Sequence, residues 1–179
     1  TIVDAGVVQR LIELMSHPAI AVVQPSLRAI GNILTGNDEQ TQLLVNSGVL
    51  TPLYALIRNQ KKAVRKESLW ALSNIAAGTN EQIDTMFSTG IVIVVIETLK
   101  NETYDLKKEA IWCLANAASG GHVTHLNYLI DAGCLPALCD ILIVNDATMV
   151  LVVLETLIKF LKYGAMNDND KVKNIIEEC

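Results

Sequence analysis

Trp70 and Trp112 are the only tryptophans in the chain, and each stands in the same setting: a glutamate three residues before it (Glu67, Glu109) and an asparagine four residues after it (Asn74, Asn116). On a helix of 3.6 residues per turn these positions share one face, while Leu69, Leu72, Ile75 and Ala76 point away from it. An indole attracts a cation over its ring, a carboxylate one turn away can take the charged head, and a carboxamide both donates and accepts hydrogen bonds. Indoles set side by side would form slots for the methylene stem of lysine or arginine, worth roughly 0.5–2 kcal/mol per contact. The amides would hold an extended backbone of any sequence.

The elements that must position these groups are visible as repeats. Gly6, Gly48, Gly90 and Gly133 recur at intervals of 42, 42 and 43, and both Gly36, Gly78, Gly120 and Asn32, Asn74, Asn116 recur at 42. Independent markers sharing one period near 42 residues indicate stacked helical units of two or three helices each. The expected division is a partial repeat at 1–36, repeats at 37–78, 79–121 and 122–164, and the start of another at 165–179. In the third unit the pattern predicts a helix from Asn80 to Ser88 capped by Thr79 or Asn80, a break at Gly90, a buried helix from Ile91 to Lys100, and a long helix from Tyr104 to Ser119. Gly120 and Gly121 are expected to close that helix in a left-handed conformation. In the first unit helices are expected near Val7 to Met15 and Ala19 to Thr35, after the tail of an earlier one at Thr1 to Ala5. Asp168 to Cys179 is expected to open a fifth unit. Pro52 and Pro136 fit the first turn of a helix, where a missing N–H is tolerated.

Composition agrees with an all-helical array. Hydrophobic residues make up 51% of the chain and aromatics only 4%, so the core must be built from Leu, Ile, Val and Ala. A net charge of −5 argues against a nucleic-acid binder and favours a basic partner. No apolar run reaches the roughly 20 residues a bilayer requires, and no secretory signal is visible. Cys113, Cys134, Cys139 and Cys179 lack close-pair metal spacing and read as core thiols in a reducing compartment.

The runs 27–36 (LRAIGNILTG), 66–78 (KESLWALSNIAAG) and 107–121 (KKEAIWCLANAASGG) resemble the armadillo family and, within it, the later repeats of the importin alpha (karyopherin alpha) branch, adaptors that read nuclear localisation signals. The resemblance implies a right-handed α-solenoid of armadillo repeats with three helices per unit. It also implies binding of extended Lys/Arg-rich localisation peptides on the concave Trp/Asn ladder, without a cofactor. Arg28 stands where Trp70 and Trp112 sit in the next two units, and Pro25 stands in place of the glutamate. In the family that arginine borders the smaller, C-terminal site, so the resemblance assigns Arg28, Asn32, Thr35, Lys66, Glu67, Trp70, Ser73, Asn74, Glu109, Trp112 and Asn116 to that minor site. Glu155 and Lys159 occupy the equivalent positions of the fourth unit, so the ladder is expected to end, and the groove to close, after Trp112. Further family expectations are importin beta, engaged through an N-terminal segment absent from this sequence, an export receptor at the C-terminal repeats, and shuttling between cytoplasm and nucleus.

An armadillo scaffold holding a folded partner or an acidic peptide, as in adhesion and signalling relatives, would need excess Lys and Arg beside the asparagines. Asn74 and Asn116 could also hydrogen-bond across neighbouring units, a role that can coexist with peptide binding. Lys61, Lys62, Arg65, Lys66, Lys107 and Lys108 read as a solvated rim, slightly unfavourable at helix N-termini, with Lys66 a candidate to orient Glu67. His122 and His125 lack a third metal ligand, and Thr124 is the better N-cap. No nucleophile with a base and an orienting group is signalled, so no enzyme is expected. Apolar surface at Val7 to Leu14 and Leu151 to Leu161 predicts weak self-association.

Overall fold

The computed structural model describes residues 6–166 and 170–178. They form twelve α-helices: α1 (Val8–Leu14), α2 (Ile20–Leu34), α3 (Asp38–Asn46), α4 (Leu50–Leu56), α5 (Lys62–Ala76), α6 (Asn80–Ser88), α7 (Ile91–Asn101), α8 (Tyr104–Gly120), α9 (Val123–Asp131), α10 (Cys134–Cys139), α11 (Ala147–Met166) and α12 (Asp170–Glu178), with a 3₁₀ turn at Asp140–Ile143. The helix expected at Thr1 to Ala5 lies outside the described residues, as do Asp168 and Cys179. No strand occurs among the described residues.

The helices stack in rows. Long helices α2, α5, α8 and α11 pack one on the next, α3 packs on α6, and α7 on α10. An inner helix of such a stack must be apolar on several sides, and α5 buries Val64, Leu69, Ala71, Leu72, Ile75 and Ala76. Helix α7 is buried along nearly its whole length, from Ile91 and Val92 to Leu99. Aliphatic and small side chains let neighbouring axes approach to about 8–10 Å. One continuous core therefore runs from Val8 to Val172. The architecture is an α-solenoid. No single helix among the described residues is long and apolar enough to cross a membrane.

Sharp turns connect α6 to α7 and α9 to α10, each bent by 80°. Gly90 and Gly133 make these corners with φ of 73° and 75°, a conformation that side chains with a Cβ rarely adopt. The glycines that end the long helices serve otherwise. Gly121 has φ −79° and ψ 165°, so the left-handed closure expected there does not form.

The reason lies in the caps that follow these glycines. Thr79 N–H donates to Gln82 Oε1 at 3.1 Å while Gln82 N–H donates to Thr79 Oγ1, a reciprocal capping box. Asn37 and Gln40 form the same box before α3. The folded-back glutamine amide lies over the preceding glycine, and a Cβ on Gly36 or Gly78 would fall on Gln40 Oε1 or Gln82 Oε1. Gln82 Nε2 also donates to Asp38 O on α3, tying adjacent units at 2.9 Å. At the third copy His125 takes the glutamine's part: Nδ1 accepts from His122 N–H at 2.9 Å, and Nε2 meets Asp84 of α6 at 2.7 Å. His122, not Thr124, is thus the N-cap residue of α9.

Gly78→Ala should lower the unfolding free energy by about 1–2 kcal/mol, the range of a lost N-cap. Made on top of Gln82→Ala it should cost measurably less. Urea unfolding of the four proteins of this cycle checks both expectations.

Candidate functional site

The stack of α2, α5, α8 and α11 aligns one register position on each helix, occupied in turn by Arg28, Trp70, Trp112 and Glu155. One turn further along each helix stand Asn32, Asn74, Asn116 and Lys159. Arg28 is exposed, Trp70 is half-buried, and Trp112 remains 39% exposed despite its size. The half-burial of Trp70 has a defined cause. Its indole lies over Gly31 of α2, where a Cβ would come within 2.8 Å of Trp70 Cε3.

Two clefts open along this row. One, of about 340 Å³, is lined by Trp70, Ser73, Asn74, Lys108, Glu109, Trp112 and Asn116. The other, of about 370 Å³, is lined by Gln24, Arg28, Ala63, Lys66, Glu67, Trp70 and Glu109. The structure thus brings together Arg28, Lys66, Glu67, Trp70, Ser73, Asn74, Glu109, Trp112 and Asn116. Asn32, further along α2, and Thr35, just past its end, are exposed and lie outside both clefts.

The carboxylates are already engaged by cations of the preceding helix. Glu67, 8% exposed, pairs with Arg28 Nε, and Glu109 lies 3.8 Å from Lys66 Nζ. Lys66 therefore serves the glutamate of the next helix, not its neighbour Glu67 as the sequence suggests. Lys108 Nζ continues the series to Asp146 at 3.1 Å, Lys62 meets Asp105 at 2.6 Å, and Arg65 meets Glu102 at 3.2 Å. Four of the six basic residues read as a solvated rim are thus cross-unit clasps. Partial burial holds the Glu109 carboxyl above the usual carboxylate range, with Lys66 and Lys108 pulling it back.

The amides divide between two tasks. Asn116 Nδ2 donates across to Ser73 O of α5 at 3.0 Å, a bond between neighbouring units of the kind the sequence allows. Asn74 Nδ2 is buried with no partner among the described residues. An unpaired buried donor costs about 1–3 kcal/mol, which an incoming carbonyl would offset. Ser73 Oγ and Thr35 Oγ1 return to their own helices, donating to Trp70 O and Asn32 O at 2.8 Å.

Two contributors escape a reading of motifs. Gly31 corresponds to Ser73 and Ala115 one and two units on, so the signal was a small residue at this position in the first three copies. Asp146 accepts from Met149 N–H at the start of α11 as well as pairing with Lys108, and hydrogen bonding to both holds its carboxyl below the usual range. Its signal was an acidic residue just before an apolar helical run. Away from the row, both ring nitrogens of His125 have protein partners, and burial pushes the Cys113 and Cys134 thiols up to about 12.

Residues 1–35 and 37–77 match the family model of the Armadillo/beta-catenin-like repeat. Importin subunit alpha-1a of Oryza sativa subsp. japonica is 49% identical over 45 residues, covering 25% of this chain and 9% of the relative. Importin subunit alpha-3 of Arabidopsis thaliana is 51% identical over 45 residues, 25% of this chain and 8% of the relative. The matched stretch is therefore under a tenth of each curated relative's length. A designed armadillo repeat protein in complex with the peptide (KR)4 superposes with a TM-score of 0.82 at 29% identity, covering 98% of this chain and 81% of that one. An engineered protein superposes with a TM-score of 0.85 at 31% identity, covering 90% and 65%.

Gly31→Ala should push the Trp70 indole off α2. In a Trp112→Phe background, where Trp70 is the sole indole, its emission should shift to longer wavelength while far-ultraviolet circular dichroism stays helical.

Proposed function

We propose that this chain, an α-solenoid of armadillo repeats, binds extended Lys/Arg-rich peptides of the nuclear localisation signal type along the concave row of its long helices. The cleft between Trp70 and Trp112 carries the reading, because it joins two indoles, the Glu109 carboxylate and the Asn74 and Asn116 amides in about 340 Å³. Neighbouring long helices are roughly 8–10 Å apart and an extended peptide advances about 3.3 Å per residue, so each unit faces two or three peptide residues. A lysine or arginine stem would lie against the indoles with its charge toward Glu109, and Asn74 Nδ2 would donate to a peptide carbonyl. Support from relatives is of two kinds: a peptide of alternating Lys and Arg is bound by a designed armadillo protein of the same fold, and importin alpha subunits match the chain over a quarter of its length.

On this reading the site is the minor, C-terminal site of an importin alpha, formed by Arg28, Asn32, Thr35, Lys66, Glu67, Trp70, Ser73, Asn74, Glu109, Trp112 and Asn116. Importin beta and an export receptor are the further partners it implies, with shuttling between cytoplasm and nucleus. An acidic ligand is less well served. Arg28, Lys66 and Lys108 line the clefts, each paired with Glu67, Glu109 or Asp146, so the paired charges favour neither sign, whereas the faces of Trp70 and Trp112 attract cations only.

Replacing both Trp70 and Trp112 by alanine should weaken a basic peptide about tenfold or more in a calorimetric titration, the result of losing contacts worth roughly 0.5–2 kcal/mol each. Unchanged affinity, or preference for a polyglutamate over a polylysine peptide, overturns the reading. The pH dependence has a definite sign. A ligand cation favours ionised Glu109, so affinity should be full above the raised pKa of the free protein and fall as pH drops through it. In Glu109→Gln that loss should disappear, leaving a weaker, flatter profile.

A further inference from the structure

Lys108 lines the cleft between Trp70 and Trp112, yet its charge is directed elsewhere. It stands immediately before Glu109 on α8 and four residues before Trp112, so one turn of helix separates it from the indole. A four-carbon stem at that distance can lay its ammonium over the Trp112 ring or against the Glu109 carboxylate. Either placement would fill the slot with a cation belonging to the protein. Glu109 already has Lys66 at 3.8 Å from the α5 side, and a second ammonium beside it would turn the local field positive.

The next unit draws that ammonium away. Lys108 Nζ lies 3.1 Å from Asp146, just before α11, and 5.7 Å from the centre of the Tyr104 ring. Asp146 is itself oriented, because it accepts from Met149 N–H at 3.2 Å and so caps α11. The arrangement departs from the one a unit earlier. Lys66, the counterpart of Lys108 on α5, meets Glu109 on the face of the next long helix, but Leu151 stands where that glutamate would recur on α11. The acid has moved from the helix face to the helix cap. Other charged groups nearby are engaged: Lys62 holds Asp105 at 2.6 Å, and Lys159 of α11 reaches back to Ser119 Oγ on α8, much as Asn116 ties α8 to α5.

We infer that Asp146 is a positioning residue of the peptide site: it draws Lys108 out of the cleft between Trp70 and Trp112 and so leaves that cleft open to a lysine or arginine of a bound peptide. This rests on the peptide-binding reading above, and it gives the residue before α11 a part in a site whose walls are α5 and α8. Together Lys66, Lys108, Glu109 and Asp146 carry no net charge. Without the Asp146 charge the group is positive, and its lysine has only Glu109 and the indole to turn to. Both are the groups that a ligand cation needs.

The test is Asp146→Asn, because asparagine keeps the capping acceptor of α11 while removing the charge. In a titration with a short Lys/Arg peptide at low ionic strength this variant should bind roughly two- to fivefold more weakly, the scale of an exposed ion pair. In a Lys108→Met background, where a stem of similar length carries no charge, Asp146→Asn should change the affinity little. A second readout needs no peptide. Followed by NMR in the free protein, the Glu109 carboxyl should titrate at lower pH in Asp146→Asn, because Lys108 turns toward it, and Lys108→Met should remove most of that shift. Unchanged affinity in Asp146→Asn, or an equal loss in the Lys108→Met background, overturns this inference and leaves the peptide site standing. A Glu109 titration that Asp146→Asn does not move overturns the control of Lys108 whatever the peptide does. Failure of the unaltered protein to bind the basic peptide overturns the peptide reading and this role with it.

Discussion

Every feature of this molecule depends on the covering of one long helix by the next. A helix such as α5 is apolar on too many sides to be stable alone, because Val64, Leu69, Leu72 and Ile75 cannot all face one partner. It becomes a stable element only between α2 and α8, as α8 does between α5 and α11. Stability in such a stack is a sum over neighbouring contacts, not a property of a central core. Among the described residues no further long helix packs on α11, which shows what such a neighbour covers elsewhere in the row. Leu154 and Leu161 correspond to Ile111 and Ala118 of α8, which are buried, yet both are exposed.

That dependence explains why so many polar groups reach across from one unit to the next. Gln82 bonds Asp38 O, His125 meets Asp84, Asn116 bonds Ser73 O, and Lys66 and Lys108 reach acids on the following helix. Apolar packing between ridges of aliphatic side chains tolerates small slips in register, whereas a hydrogen bond with a fixed donor and acceptor does not. These bonds hold the long helices in the alignment that turns scattered tryptophans into a row. The exposed ion pairs among them contribute little energy each, on the order of 0–1 kcal/mol, so their value lies in geometry.

The fold was legible because its signals are either local or repeated unchanged: the apolar faces and the cap at Thr79 can be read within a few residues, and the glycines recur at 42 or 43 positions with the same identity each time. What escaped reading depends on pairs 36 to 44 positions apart whose partners change identity from copy to copy. Gln82 and His125 do one task with different atoms, as do Asn116 and Lys159. The glycines before the caps were recognisable as recurring from unit to unit but not in purpose, since a left-handed helix end and a folded-back glutamine both call for a missing Cβ. The indoles and amides of the candidate site were visible at once, because their positions on the helical wheel conflict with burial. The cations clasping Glu67 and Glu109 were not, because nothing within either helix marks them.

Those clasps alter what recognition along the row would mean. A bare carboxylate would attract any cation and be masked by salt, whereas Glu67 and Glu109 already have internal partners. A ligand side chain would gain only the difference between its own fit and that of Arg28 or Lys66. A compact ion makes a poor replacement, since it cannot also cover an indole. A lysine or arginine carried on an extended backbone can do both, and its neighbours add the Asn74 carboxamide as a further partner. Internal pairing therefore lowers the affinity available from charge alone and raises the share that depends on the stem and the backbone. A groove built this way would discriminate by the shape of the cation as much as by its charge.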